Sequence, residues 1–211
     1  MGKLAVLGGT FNPIHEGHIR LAREAAQVLS LERVLLIPTW TPPHKESPDL
    51  APSHHRLEMC RLAARKDPLL EVDDLEIRRK GRSYTIDTVE ELRRREPGAE
   101  LVLIIGSDML LTFHEWRRWR EILEQVTLCA ACRQPGIQAQ VEEYARGLTE
   151  QGYRCRLLTL PPLELSSTQI RQGIAAGTLP EGWLDPAVAD YIREHKLYEN
   201  GKEPANGRAD L

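Results

Sequence analysis

Three glycines and two histidines in one short stretch, Gly8-Gly9-Thr10-Phe11-Asn12-Pro13-Ile14-His15-Glu16-Gly17-His18, have the side-chain and backbone chemistry to hold a phosphate. The stretch follows the apolar run Leu4-Ala5-Val6-Leu7. A buried strand therefore ends in a glycine-rich turn, and the histidines stand where the next helix begins. Backbone N–H groups in such a turn, and at a helix N-terminus, point at negative charge. The imidazoles add donors to the same place. Other phosphate and metal motifs fit poorly. No Lys-Ser or Lys-Thr follows the last glycine, and the G-x-G-x-x-G pattern is absent. A zinc protease helix needs histidines four apart. Here His15 and His18 are three apart, with Gly17 between them and Pro13 close by.

A second anion signal lies near the other end, in Leu165-Ser166-Ser167-Thr168-Gln169-Ile170-Arg171. Ser and Thr at a helix start cap exposed N–H groups, and the serines alone would mean no more than that. Arg171 changes the balance. It falls in the first turn of the expected helix, where the dipole disfavours a cation. An arginine there makes sense if an anion shares the site, and guanidinium grips phosphate by a two-pronged contact.

The elements that must position these groups are legible in the hydrophobic pattern. Leu4 to Leu7, Val34 to Ile37, Leu101 to Ile105, Val126 to Ala131 and Cys155 to Leu160 are near-continuous apolar runs. Such runs are expected of parallel strands covered on both faces. Amphipathic helices are expected over Ile19 to Leu29 (Leu21, Ala25 and Val28 on one side), Arg56 to Arg65 (Leu57, Cys60, Ala64), Thr88 to Arg95 and Val141 to Gln151. Two final helices are expected over Ser166 to Ala176 and Pro186 to His195. Strand alternating with helix predicts an α/β fold with a doubly wound, mostly parallel Rossmann-like sheet. Ligands bind such sheets at the strands' carboxyl ends. The glycine turn is at one such end and Gly106-Ser107-Asp108 at another. Thr39 to Pro52 holds four prolines and should be irregular. One domain over residues 1–198 and a disordered tail over 199–211 complete the expected organisation.

The bulk numbers narrow the function classes. The 211 residues carry a net charge of -3, with 41% hydrophobic and 28% charged. A general nucleic-acid binder should be basic, and the runs at Arg78 to Arg82, Arg93 to Arg95 and Arg117 to Arg120 read as solvated turns and helix faces. No leader and no membrane-length apolar stretch stands out. Four scattered cysteines fit a reducing cytoplasm. Cys129 and Cys132 have a metal- or redox-pair spacing, but three apart on a strand they face opposite ways. No metal site is expected on the protein, and oligomeric state is open, a homo-oligomer included.

The two anion segments, in this order, resemble the H-x-G-H and I-S-S-T-x-I-R signatures of the nucleotidyltransferase superfamily, with Leu165 in place of the leading isoleucine. Further blocks are similar to those of bacterial nicotinate-nucleotide adenylyltransferases. They are Gly8 to His15, Pro42-Pro43-His44-Lys45, Ser83-Tyr84-Thr85, Ile105 to Asp108, Trp116 and Lys196-Leu197-Tyr198. Arg117 departs from the family, which often has tyrosine after the tryptophan.

The resemblance implies adenylyl transfer from ATP to nicotinate mononucleotide, with a magnesium ion accompanying ATP. It implies catalytic roles for His15, His18 and Arg171. Gly8, Gly9, Thr10, Phe11, Gly106, Asp108, Arg133, Ser166, Ser167 and Thr168 would complete the ATP site. Asn12, His44, Lys45, Tyr84, Thr85, Trp116 and Arg117 would bind the mononucleotide. Trp116 would stack on the pyridine, and the Thr85 and Arg117 main chains would meet its carboxylate. Nicotinamide mononucleotide as acceptor, a phosphopantetheine adenylyltransferase and a non-catalytic nucleotide sensor on the same fold are the alternatives. A class I aminoacyl-tRNA synthetase has a similar histidine motif but needs a much longer chain.

Overall fold

The structure is a computed structural model, described here for residues 2–42, 49–132, 136–159 and 165–199. His44, Lys45, Arg133, Leu160 and the expected tail from residue 200 onward lie outside the described residues. The strands are β1 (Lys3–Gly9), β2 (Arg33–Pro38), β3 (Leu70–Val72), β4 (Glu100–Gly106), β5 (Thr127–Cys132) and β6 (Cys155–Thr159). They form one sheet in the order β3-β2-β1-β4-β5-β6. Every neighbouring pair is parallel, with Leu4 opposite both Arg33 and Leu101.

The helices are α1 (Glu16–Leu29), α2 (Ser53–Ala64), α3 (Leu75–Arg79), α4 (Thr85–Arg95), α5 (Ser107–Leu111), α6 (Trp119–Gln125), α7 (Gln138–Glu150), α8 (Ser167–Ala176) and α9 (Pro186–Glu194). Alternate strand residues feed two cores. Ala5, Leu7, Val34, Leu36, Val102 and Ile104 pack with α1, α2, α8 and α9. Leu4, Val6, Leu35, Ile37, Leu103 and Ile105 pack with α3, α4, α6 and α7 on the other face. Both faces are therefore covered, which is why the strands read as unbroken apolar runs. Cys129 belongs to one core and Cys132 to the other, so the pair cannot act together.

The expected strands are all present, and the structure adds to and corrects the rest. β3 has three residues, too few for a pattern. α3, α5 and α6 are equally short, with five, five and seven residues. α4 starts at Thr85, three residues earlier than its apolar period suggests, because Ile86 is also buried. Val28 is 61% exposed rather than on the packed side of α1. Leu21 and Ala25 are buried as expected, and Ile19, Ala22 and Ala26 complete the packed side, with Leu29 against it.

The order reverses between β1 and β4, where β2 continues on one side and β5 on the other. A doubly wound sheet opens a crevice at such a point, outside the carboxyl ends of the strands. Gly8-Gly9, Thr39 and Ile105-Gly106 all stand at that edge.

Candidate active site

The turn after β1 is held rigid from outside. Arg56 on α2 is 1% exposed and donates to three main-chain carbonyls: Nε to Ala51, Nη1 to Thr10 and Nη2 to Trp40. Burial lowers its pKa, opposed by nearby Tyr198, Cys60 and Glu76. Phe11 has a left-handed backbone at φ 47°. Its ring folds back so tightly that a Cβ on Gly9 would lie 3.0 Å from it, so any side chain at position 9 would press on that ring. Phe11 is thus core beneath the turn, with its ring edge-on to His18 at 5.0 Å between centroids.

His15 is the N-cap of α1 and is 5% exposed. Its N–H donates to Nδ1 of His18 at 3.2 Å. The two rings lie 3.7 Å apart between centroids. A neutral His18 that accepts at Nδ1 carries its proton on Nε2. Its outer nitrogen is then a donor, while the first N–H of α1, on Glu16, is taken by the Trp183 carbonyl at 3.0 Å.

Asn12 does structural work that its sequence context did not reveal. Its Oδ1 accepts from Ala51 N–H at 3.0 Å and from the Tyr198 hydroxyl at 2.8 Å, while Nδ2 donates to the Asp49 carbonyl. Burial pushes the Tyr198 hydroxyl's pKa up. The side-chain oxygen of Asn12 is therefore spent on holding the turn against the chain's C-terminal segment.

α8 docks onto the same turn through its signature residues. Ser167 Oγ donates to the Pro13 carbonyl and Arg171 Nη1 to the Asn12 carbonyl, each at 3.0 Å. Arg171 is the fifth residue of α8, past the first turn, and its side chain reaches back along the helix as helical side chains do. Its Nε is buried without a hydrogen-bond partner among the described residues. Ser166 is the N-cap: its Oγ accepts from Gln169 N–H and donates to Gln169 Oε1, so plain capping accounts for it. Thr168 is exposed. At the end of β4, a Cβ on Gly106 would lie 2.6 Å from Asp108 Oδ1, so glycine lets that carboxylate fold back over the strand end.

A cavity of about 170 Å³ opens beside the turn. Gly8, Gly9 and Thr10 form one wall, and Tyr84, Thr85, Met109, Trp116 and Arg117 line the other. Trp116 is half-buried, supported by Phe113 at 4.7 Å between ring centroids. The exposed Arg117 guanidinium lies over the Tyr84 ring, 4.7 Å from its centroid. Among the described residues the N–H groups of Thr85, Ile86 and Arg117 donate to no acceptor. The first two open α4, where the helix dipole adds positive potential. The structure thus brings the predicted Gly8, Gly9, Thr10, Tyr84, Thr85, Trp116 and Arg117 to one cavity, with the His15-His18 pair and α8 seated on the same turn.

Sequence reasoning missed Arg56, Thr39 and Glu76. Arg56 had a signal, since it lies one helical turn before Cys60 on the packed face of α2. Glu76 sits in a five-residue helix, and no periodicity marks it.

A parallel sheet with this crevice, a histidine pair on a glycine turn and a helix docked on that turn through a serine and an arginine one turn further along defines the cytidylyltransferase-like nucleotidyltransferases. The sequence profile of that family, described as cytidylyltransferase-like, matches residues 6–173. The probable nicotinate-nucleotide adenylyltransferase of Symbiobacterium thermophilum is 41% identical over 98% of this chain and 100% of its own. That of Aeromonas hydrophila is 42% identical over 92% and 96%. The chain belongs to the nicotinate-nucleotide adenylyltransferase family. Among solved structures, the fold is similar to the Plasmodium falciparum nicotinic acid mononucleotide adenylyltransferase complexed with NaAD. The TM-score is 0.75, at 16% identity over 94% of this chain and 98% of that one.

Proposed function

We propose that the protein transfers the adenylyl group of ATP to nicotinate mononucleotide, releasing pyrophosphate and forming nicotinate adenine dinucleotide for NAD biosynthesis. One observation carries this reading. A single cavity joins the Gly8-Gly9-Thr10 turn to an aromatic wall at Trp116 and to Thr85 and Arg117, whose N–H groups have no acceptor among the described residues. A flat pyridine stacks on the indole, and its carboxylate meets those N–H groups.

An acceptor phosphate oxygen attacks the α-phosphorus of ATP in line. The new P–O bond forms as the bond to the β-phosphate oxygen breaks, and pyrophosphate leaves with the bonding electrons. The attacking oxygen is already ionised at neutral pH, so no general base is required. Positioning and charge stabilisation supply the catalysis. Nε2–H of His18 donates to the α-phosphate oxygens as charge grows there, and the half-buried Arg171 holds the departing phosphates with Ser167 and Thr168. Asp108 holds ATP's ribose hydroxyls, with Gly106 allowing the approach. His44, Lys45 and Arg133 are assigned to the substrates' phosphates by resemblance alone. Among the described residues no three carboxylates, imidazoles or thiols cluster as a metal cage, so a magnesium ion would enter with ATP rather than on ligands of the protein. When bound, that ion neutralises phosphate charge. The enzyme would work in the cytoplasm.

The reading is tested by measuring pyrophosphate release from ATP with nicotinate mononucleotide, nicotinamide mononucleotide and phosphopantetheine. The first should be the preferred acceptor. Release only with phosphopantetheine, or ATP binding with no release at all, would overturn the assignment. Trp116→Ala should raise KM for the mononucleotide about tenfold and leave KM for ATP near normal, since stacking on an aromatic is worth ~1–3 kcal/mol. Equal effects on the two substrates would exclude stacking at this position.

A further inference from the structure

Two buried polar atoms in the lining of the same cavity lack a hydrogen-bond partner among the described residues. Glu76 is 5% exposed, and its Oε2 is buried without a hydrogen-bond partner among the described residues. Thr39 Oγ1 is buried and equally unpartnered, and both residues line the cavity. Buried polar atoms are nearly always paired, so two orphans facing one space indicate a ligand atom or a water that belongs there. The rest of the Glu76 carboxyl is fixed. Arg79 Nη2 donates to Thr88 Oγ1 at 3.1 Å, and the Thr88 hydroxyl donates onward to Glu76 Oε1 at 2.6 Å. Thr88 is the fourth residue of α4, whose opening residues Thr85 and Ile86 have N–H groups with no acceptor among the described residues. That chain of bonds occupies Oε1, the Ser83 hydroxyl, which accepts from Trp40 N–H, lies beside the same carboxyl, and Oε2 is left to address the cavity.

We propose that Glu76, with Thr39 beside it, is a specificity-determining residue of the acceptor pocket that reads the substituent on the pyridine ring. The proposal rests on the acceptor reading given above. Its chemistry depends on one proton. Burial raises the Glu76 pKa against the opposing Thr88 and Ser83 hydroxyls and Arg79, with Asp87 adding to the rise. Arg56 on α2 and Arg117 across the cavity are the other charges around it. A protonated Oε2 donates to a carboxylate oxygen and so accepts nicotinate. An ionised Oε2 repels that carboxylate and instead accepts from the amide N–H of nicotinamide. The preference for nicotinate is therefore present at low pH and lost as pH rises through the elevated pKa.

The test is the ratio of kcat/KM for nicotinate over nicotinamide mononucleotide, followed from acid to alkaline pH. Titration of the acceptor phosphate is common to both substrates and cancels in the ratio. In the wild-type enzyme the ratio should fall about tenfold or more across one ionisation, as expected of two like charges in a partly buried site. In Glu76→Gln, which keeps the shape, the acceptor at Oε1 and a permanent donor toward the cavity, the ratio should be flat. Thr39→Val, which keeps the volume, should weaken acceptor binding and leave KM for ATP unchanged. A Glu76→Gln profile that falls like wild type, or a ratio flat in both proteins, would overturn the inference. Absence of wild-type turnover with either mononucleotide would instead overturn the acceptor reading itself.

Discussion

His18→Ala should lower kcat about 10²- to 10³-fold, the usual consequence of removing one donor aimed at developing charge. KM for both substrates should move far less, because the interaction grows only as the α-phosphorus is attacked. The side chain has a second role that must be separated from the first. Its Nδ1 accepts the His15 N–H and so caps α1, and losing a cap costs ~1 kcal/mol. His18→Asn distinguishes the two. The asparagine Oδ1 replaces Nδ1 as the cap acceptor, while nothing replaces the donor at Nε2. Thermal stability should recover in His18→Asn and kcat should not. If His18→Asn turns over near the wild-type rate, the imidazole is a structural cap and the transition-state role must move to His15 or Arg171.

That duality shows what the sequence could convey and what it could not. Apolar runs such as Leu101 to Ile105 reported buried parallel strands because both their faces are covered, and this condition writes itself into every residue. The histidine pair and Arg171 were legible because their residue types are costly where they stand. The pairing of these groups was not. Asn12 reads as one more polar residue of a phosphate turn, yet its oxygen joins Ala51 and Tyr198, partners 39 and 186 positions away. Ser166 and Ser167 look equivalent in the chain. Only the docking of α8 spends one on a cap and the other on the Pro13 carbonyl. Short elements escaped for a different reason. α3 has five residues, fewer than two turns, so hydrophobic periodicity could mark neither the helix nor the buried Glu76 on it.

Arg56 carries the largest expected effect on stability. Its charge has no carboxylate within ion-pair distance among the described residues and is solvated by the carbonyl dipoles of Thr10, Trp40 and Ala51. Two terms compete when it is replaced by methionine of similar reach. Removing a buried charge relieves its desolvation, and apolar substitutes for buried ions can be neutral or stabilising when the partner is replaced too. Here the partners are main-chain carbonyls and cannot be replaced. Each one left without a donor costs ~1–3 kcal/mol. Three such losses outweigh the relief, so Arg56→Met should destabilise the fold by about 3–5 kcal/mol, a drop of roughly 10 °C in Tm for a chain of this size. Arg56→Lys should fare little better, because one ammonium cannot match the guanidinium's fork toward three separate carbonyls. The functional consequence follows from which segments the fork joins. Thr10 begins the phosphate turn, Trp40 follows β2, and Ala51 closes the proline-rich segment against Asn12. In refolded Arg56→Lys assayed well below its Tm, KM should therefore rise for ATP and the mononucleotide together, unlike the acceptor-only effect expected at Trp116. A Tm within about 2 °C of wild type in Arg56→Met would show that solvent or a rearranged donor reaches those carbonyls, and the turn would then owe its rigidity to Asn12 and α8 alone.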